Sequence, residues 1–350
     1  MDNITSFEAL YESMHKCKCG VMWKSSVASF YLNGIRSCLE LEKQLANGTY
    51  KPRPTKKVKI TFPKPRTAVS IAFRDRVYQR SLNDNAIYPA MSKSFIYPNM
   101  ACQKGKGPDE ARDILKKYLR RAWLKHGNDF YVLQCDIKGY FINIDHEIAE
   151  NQIRSKVNKA NADRACSVLR HQYEGDKGYN PGSQLVQIVG ISYLNGLDHY
   201  IKERLKIKYY IRYQDDFVLL HQDKAYLETC MVLIKRYLTE RLHLEAHPKK
   251  TVIYPASKGI SFLGFTHRLT ETGKVLMLIN SNGVKSYRRK MVRMAKLIAK
   301  GLRSKEKFEE CYNARRAHVK KGNTKKPALA KADIVCKSIT YPPPSIVPYT

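Results

Sequence analysis

The sequence predicts an α+β fold. Over several long stretches apolar residues recur at three-to-four spacing, as on the buried face of a helix. Between them lie short runs rich in β-branched and aromatic residues, chiefly "DFYVLQCDIKGYFINID" (129–145) and "KIKYYIRYQDDFVLLH" (206–221). A hydrophobic content of 43% is ample for a packed core, which excludes a disordered basic tail.

Taken in order, residues 1 to about 50 read as helical through Phe30, Ile35, Leu39, Leu41 and Leu45. Gly48, Pro52, Pro54, Pro63 and Pro65 then break the pattern around an alternating lysine-rich "KVKIT", a short strand or hairpin. Helices are expected from about Phe73 to Ala86 and from Asp109 to Lys125. Others are expected after Asp145, from about Val186 to Lys206 and over 224–242. A strand at 251–254 and "GISFLGFTHRL" (259–269) complete the β content. From about Ser286 the chain turns basic and helical, and the closing "YPPPSIVPYT" cannot be helical.

Lys and Arg number 63 against 31 Asp and Glu, a formal charge of +32. So large a charge of one sign strains a compact fold unless a polyanion offsets it, which fits a ribosomal or generic basic protein or, more sharply, an extended nucleic-acid channel. Without a run of about 18 apolar residues or a signal pattern, a soluble cytoplasmic protein with no membrane partner is expected. The nine cysteines lack paired spacing and read as reduced thiols. Only His15-x-Cys17-x-Cys19 hints at metal, with no second ligand pair.

Asp215 and Asp216 sit side by side in an apolar run, between Tyr210, Ile211, Tyr213 and Phe217, Val218, Leu219, Leu220. A lone Asp-Asp is ordinarily an exposed turn, but an exposed turn has no need of such flanks. Asp136 ends another β-rich run, and a hairpin could bring its lead carboxylate beside it. Carboxylates held this close repel, and a divalent cation is the usual relief. Two cations shared by such acids and a triphosphate make the two-metal site of phosphoryl transfer.

Tyr213-Gln214-Asp215-Asp216 resembles the Tyr-x-Asp-Asp box of reverse transcriptases, and "DIKGYFINID" resembles their first-aspartate motif. "FPKPRTAVSIAFRDRVYQRSL" (62–82) is similar to the fingers motifs of the bacterial enzymes, and "SFIYPNMACQKGKGPDEA" to the stretch that follows. "PGSQLVQIVGISYLNGLDHYIKERL" (181–205) takes the place of the Gln-Gly motif and its helix. "LHLEAHPKKT" and "FLGF" match later palm motifs. The resemblance covers about residues 45 to 300. It is to the group II intron-like superfamily, closest to small stand-alone defence-associated, unknown-group and diversity-generating members.

The resemblance implies a right-hand polymerase fold. Residues 1–50 would be an N-terminal helical extension and 51–128 the fingers. The palm, with an antiparallel sheet, would be 129–270, including the finger–palm helix at 183–206. A small basic helical thumb and proline-rich tail would be 271–350. Asp136, Asp215 and Asp216 would be catalytic and, with the Ile137 carbonyl, would bind two Mg²⁺ ions or Mn²⁺ in their stead. Phe141, or Tyr140 beside it, would press on the sugar and exclude a 2′-hydroxyl, though either ring could be core. Lys64 and Arg66 would grip the incoming triphosphate. Arg74 or Arg76 would touch template or phosphate, or form a surface ion-pair helix. Lys250 would lie near the leaving pyrophosphate, with Gly182 and Gln187 in the nucleotide pocket. Phe262, Leu263 and Gly264 would form the primer grip.

The sequence departs from the family at one place. Pro181-Gly182 stands where intron-type enzymes have Gln-Gly, and Gln187 falls where hypervariation-linked enzymes end a Ser-Gln pair. No ribonuclease H-like cluster or His-Asn-His box follows the palm. The resemblance therefore implies a small enzyme copying a dedicated structured non-coding RNA into DNA from dNTPs, in bacterial antiphage defence. A diversity-generating enzyme making error-prone cDNA is the alternative, and a non-catalytic RNA-binding protein on a polymerase scaffold the second. A homo-oligomer is among the expected assemblies.

Overall fold

The computed structural model describes residues 4–61 and 66–323. Lys64 and the proline-rich tail lie outside the described residues, as do the side chains of Arg66, Ser281 and Asn282. Three helices open the chain: α1 (Phe7–Lys18), α2 (Ser25–Leu32) and α3 (Gly34–Ala46). The Ser6 hydroxyl caps α1 by accepting from the Ala9 amide at 3.3 Å. Strands β1 (Lys56–Ile60) and β2 (Arg66–Ser70) pair antiparallel, with Ile60 opposite Arg66.

Helix α4 (Phe73–Leu82) passes through a π-helical turn at Asn83–Ile87 into α5 (Tyr88–Ser92), so the helix expected to stop near Ala86 runs on. Pro89 does not stop it, because it sits in the first turn of α5. There follow α6 (Pro108–His126), β3 (Tyr131–Cys135), α7 (His146–Arg154), α8 (Lys159–Gln172), α9 (Gln184–Tyr193) and α10 (Asn195–His199). Asp145 caps α7 through the amides of Glu147 and Ile148. Next come β4 (Tyr209–Tyr213), β5 (Asp216–His221), α11 (Lys224–Leu242), β6 (Val252–Pro255), β7 (Ile260–Phe262), β8 (Phe265–Leu269), β9 (Val275–Ile279), α12 (Ser281–Ala299) and α13 (Lys305–Lys320). Helix α8 and strand β9 had no sequence expectation.

The larger sheet has the order β4-β5-β3-β6, and a second sheet the order β7-β8-β9. Two compact units interleave in sequence. The first comprises 1–111, 133–219 and 225–252, and the second comprises 112–132, 220–224 and the described residues from Ile253 on.

In the first unit the interiors of β4 and β5 are buried on both faces, Tyr210, Ile211, Phe217, Val218 and Leu219 among them. Helix α9 is buried along almost its whole length from Leu185 to Tyr193. A strand pair this apolar needs cover on both sides, which is why the acids in its turn stand out.

In the second unit Phe265, Met277, Ile279 and Val319 tie α13 to the β8–β9 pair. Tyr287, Met291, Met294 and Phe308 tie α12 to α13. Among the described residues no helix is long and apolar enough to cross a membrane.

Candidate active site

Hairpin β4–β5 turns through Gln214 and Asp215. Gln214 has φ +58°, the left-handed region that L residues adopt reluctantly. Such a turn swings the chain sharply, so Asp215 and Asp216 emerge at the sheet end beside β3, the strand that neighbours β5 and runs into Asp136.

Asp136 is held mainly by its backbone. Its carbonyl accepts from the His247 amide at 2.7 Å, and the Lys138 amide donates to the Glu245 carbonyl at 2.9 Å. These bonds flank the antiparallel pairing of Ile137 with Ala246, and they leave Ile137's own N–H and C=O directed away from the 245–247 segment. The Lys250 ammonium donates to Asp136 Oδ2 at 2.8 Å.

The three carboxylates feel one another. Burial above all, and then the charge of Asp136, raises Asp215 above the usual carboxylate range. Burial pushes Asp216 up to about 7, with Asp136 and Asp215 adding to it against the pull of Gln134. The Gln134 amide lies 3.5 Å from Asp216 Oδ1. Among the described residues no three His, Cys, Asp or Glu side chains form a ready-made metal cage. Yet two crowded carboxylates, both raised above their ordinary range, beside a third that has recruited an ammonium are the hard oxygen donors a divalent cation takes. The donor set fits such an ion.

The aromatic pair divides its work. Tyr140 is buried, and its hydroxyl donates to the Gly190 carbonyl. Phe141 is half-buried, and its ring leans on Gly190 of α9 so closely that a Cβ there would lie 2.7 Å from Cε1. Only glycine lets the ring settle at that depth.

Residues 176–182 run beside Phe141. The Tyr179 amide donates to the Phe141 carbonyl at 2.7 Å, and the Gly178 amide to the Ile144 carbonyl at 2.8 Å. Gly178 takes φ +96°, and a Cβ there would meet the Ile142 carbonyl at 2.9 Å. On its other side this loop meets β2. Asn180 Nδ2 donates to the Thr67 carbonyl at 2.8 Å, and a Cβ on Gly182 would lie 3.0 Å from the Val69 carbonyl. Gly182 thus lies beside the strand that Arg66 opens.

Gln187 faces elsewhere, into a cavity of about 260 Å³ shared with Gln184, Asn83, Cys102 and Gln103. Gln214 reaches toward the same place, its amide 3.1 Å from Cys102 Sγ.

Arg74 is fully engaged, donating to Gln44 Oε1 at 2.9 Å and to the Lys51 carbonyl at 2.6 Å beside buried Asp75. Asp75 also accepts from the Tyr50 hydroxyl and the Arg53 amide, so the pair pins the 50–53 loop. Arg76 instead lines a cavity of about 510 Å³ with Lys24, Arg53 and Lys56.

In the second unit Phe262 and Phe265 pair across a two-residue turn in which Leu263 and Gly264 both have positive φ, at +48° and +84°. A leucine in that position is uncommon. Arg112 holds its carbonyl at 3.1 Å and stacks over Phe265. Cys17, from the pattern that hinted at metal, is buried with its thiol on the Arg76 carbonyl, and burial raises its pKa.

Sequence reasoning missed Arg212, Asp198 and the 176–182 loop. Arg212 carried a signal all the same, being a charge in the interior of an apolar strand, as odd there as the paired acids.

The three aspartates gather at one sheet end, Asp215 on the hairpin turn, Asp216 at the start of β5 and Asp136 just past the end of β3, and the mixed fold is of the right-hand polymerase kind. The family model described as "Reverse transcriptase (RNA-dependent DNA polymerase)" matches residues 55–267, which contain all three aspartates. The chain belongs to the reverse transcriptase family. No curated protein sequence matches it significantly.

Among solved structures it is similar to apo telomerase of Candida tropicalis truncated from its C-terminal domain. The two share 12% identity and a TM-score of 0.46, over 64% of this chain and 54% of that one. It is also similar to telomerase of Candida albicans in complex with a TWJ fragment of telomeric RNA. There the identity is 11% and the TM-score 0.48, over 75% and 55%. The chain thus spans about half the length of the solved structures it matches.

Proposed function

We propose that this chain is an RNA-directed DNA polymerase. The observation that carries the reading is the convergence of Asp136, Asp215 and Asp216 at one sheet end, where burial and mutual charge raise the last two. Asp136, Asp215 and Asp216, with the Ile137 carbonyl, would hold Mg²⁺ or Mn²⁺. When bound, such ions activate the primer 3′-hydroxyl and neutralise the triphosphate.

The chain's own residues do the rest. Lys64 and Arg66 grip the phosphates. Lys250 leaves Asp136 Oδ2 to offer its proton to an oxygen of the departing pyrophosphate. Gly182 gives the substrate close backbone approach beside β2, and Phe141 closes the space a 2′-hydroxyl would need. The Phe262–Gly264 turn contacts the primer. The basic helices from α12 on, as a thumb, hold the duplex by its phosphates.

On an RNA template with a DNA primer, dNTPs and Mg²⁺, extension is expected. Chelation of the metal with EDTA is expected to stop it, and added Mg²⁺ to restore it. Extension that persists in EDTA would sink the reading. Phe141→Ala is expected to narrow discrimination against rNTPs on the order of 10²-fold, since a pocket that excludes by shape loses a few kcal/mol of contrast when it is emptied. Unchanged dNTP/rNTP preference in single-nucleotide assays would remove Phe141 from that role.

In the cell we propose that the enzyme copies a dedicated structured non-coding RNA in bacterial antiphage defence. Support comes from the Asn180–Gln187 stretch, where Pro181-Gly182 replaces the intron-type Gln-Gly. Sequencing of nucleic acid that copurifies with the protein, with and without phage, tests it. Copies of one small RNA are expected, and adenine-mutagenised copies of a repeat would point to diversification instead.

A further inference from the structure

We infer that Arg212 is a positioning residue of the catalytic turn. It is a buried guanidinium that holds the Gln214 carbonyl and so fixes the direction in which Asp215 and Asp216 leave the hairpin. The inference rests on the reading of those two aspartates as metal-binding carboxylates.

Arg212 is 0% exposed. Its Nη1 donates to the Gln214 carbonyl at 2.9 Å and its Nη2 to the Ile191 carbonyl of α9 at 3.0 Å. The other edge of the fork meets Asp198 of α10, also 0% exposed, with Nε to Oδ1 at 2.6 Å and Nη2 to Oδ2 at 2.5 Å. The Tyr210 hydroxyl donates to the same Oδ1 at 2.6 Å. Arg212's backbone is fixed as well, its amide on the Pro98 carbonyl at 3.0 Å and its carbonyl taking the Met100 amide at 2.9 Å.

Stability alone does not account for this arrangement. A buried ion pair can often be replaced by packed aliphatic side chains at no loss. An aliphatic chain cannot, however, hold a carbonyl. The carbonyl in question belongs to the peptide joining Gln214 to Asp215, and Gln214 sits at a φ of +58° that it would otherwise leave. Relaxing that φ rotates the peptide and swings Asp215 away from Asp136. Asp198 in turn orients the fork, so a residue of the helix layer sets the aim of the turn.

Arg212→Lys keeps the charge and loses the fork. The expected result is a folded protein whose kcat for single-nucleotide addition falls about 100-fold with KM for the dNTP unchanged, the size of effect that small misplacement causes. Mn²⁺ binding followed by paramagnetic resonance should weaken in parallel. Adding Gln214→Gly, which takes positive φ without strain, should recover about tenfold of the lost kcat. A lowered melting temperature with kcat intact, or no recovery from Gln214→Gly, overturns the inference.

Should Arg212→Lys not fold, Tyr210→Phe decides. It removes one bond to Asp198 and keeps the ring. A several-fold fall in kcat at constant KM supports the inference, and wild-type kcat overturns it. If wild type itself extends no primer, the polymerase reading has failed and the Mn²⁺ titration still separates the two questions. Weaker binding in Arg212→Lys supports the positioning role, and equal binding overturns it.

Discussion

Asp215→Asn is expected to yield a folded protein that extends a primer on RNA on the order of 10³-fold more slowly than wild type, equivalent to ~4 kcal/mol of lost transition-state stabilisation. Asparagine keeps the size of the side chain and the turn, so the loss isolates the charge. The same substitution should not lower the melting temperature. Asp215 is half-buried near Asp136 and raised for that reason, so removing its charge relieves repulsion in the free protein. An inactive variant at least as stable as wild type is the mark of a site strained for function. Activity within tenfold of wild type, measured by single-nucleotide addition, would remove this carboxylate from the chemistry.

Asp198→Ala is expected to be the most destabilising of the single substitutions considered, by about 3–5 kcal/mol. It leaves the fully buried Arg212 guanidinium charged and without its carboxylate, and it orphans the Tyr210 hydroxyl. The pair's own attraction is not what is lost, since most of the cost is the uncompensated cation left behind. Urea denaturation reads it directly. Asp198→Asn should cost less, because the amide oxygen can still accept from the guanidinium. Equal stability of Asp198→Ala and wild type would mean that Arg212 finds another partner in the core.

The elements with strong periodicity are legible in the sequence. Helix 224–242 falls where the spacing puts it, and the strand runs around 131–135 and 209–221 surround the three acids as read. Helix α8 escaped because its buried positions, Ala162, Ala165 and Cys166 among them, are small and make a weak apolar stripe. Strand β9 escaped because an apolar run of five residues cannot be told from a loop or a buried helical turn by period alone.

In the site, the Asp-Asp pair announced itself by being charged among apolar neighbours. Arg212 breaks the same rule three residues before Asp215, inside β4, but no motif marks it. Its partner Asp198 lies 14 residues upstream, and nothing in spacing joins a helix acid to a strand base across a sheet face. Local pattern reveals which residues are costly to bury. Which of them relieve one another is decided by tertiary packing.

The 176–182 loop joins two places that are far apart in sequence, by main-chain contacts on the Phe141 side and by the Asn180 side chain on the β2 side. Asn180 and Gly182 touch β2 at the Thr67 and Val69 carbonyls, and Tyr179 holds Phe141 by its carbonyl. Three links thus connect the β1–β2 ribbon to the ring that leans on Gly190. The linkage depends on the Asn180 amide and on the absence of a Cβ at Gly178 and Gly182, whereas none of these contacts uses Pro181, which can stand there without breaking the connection.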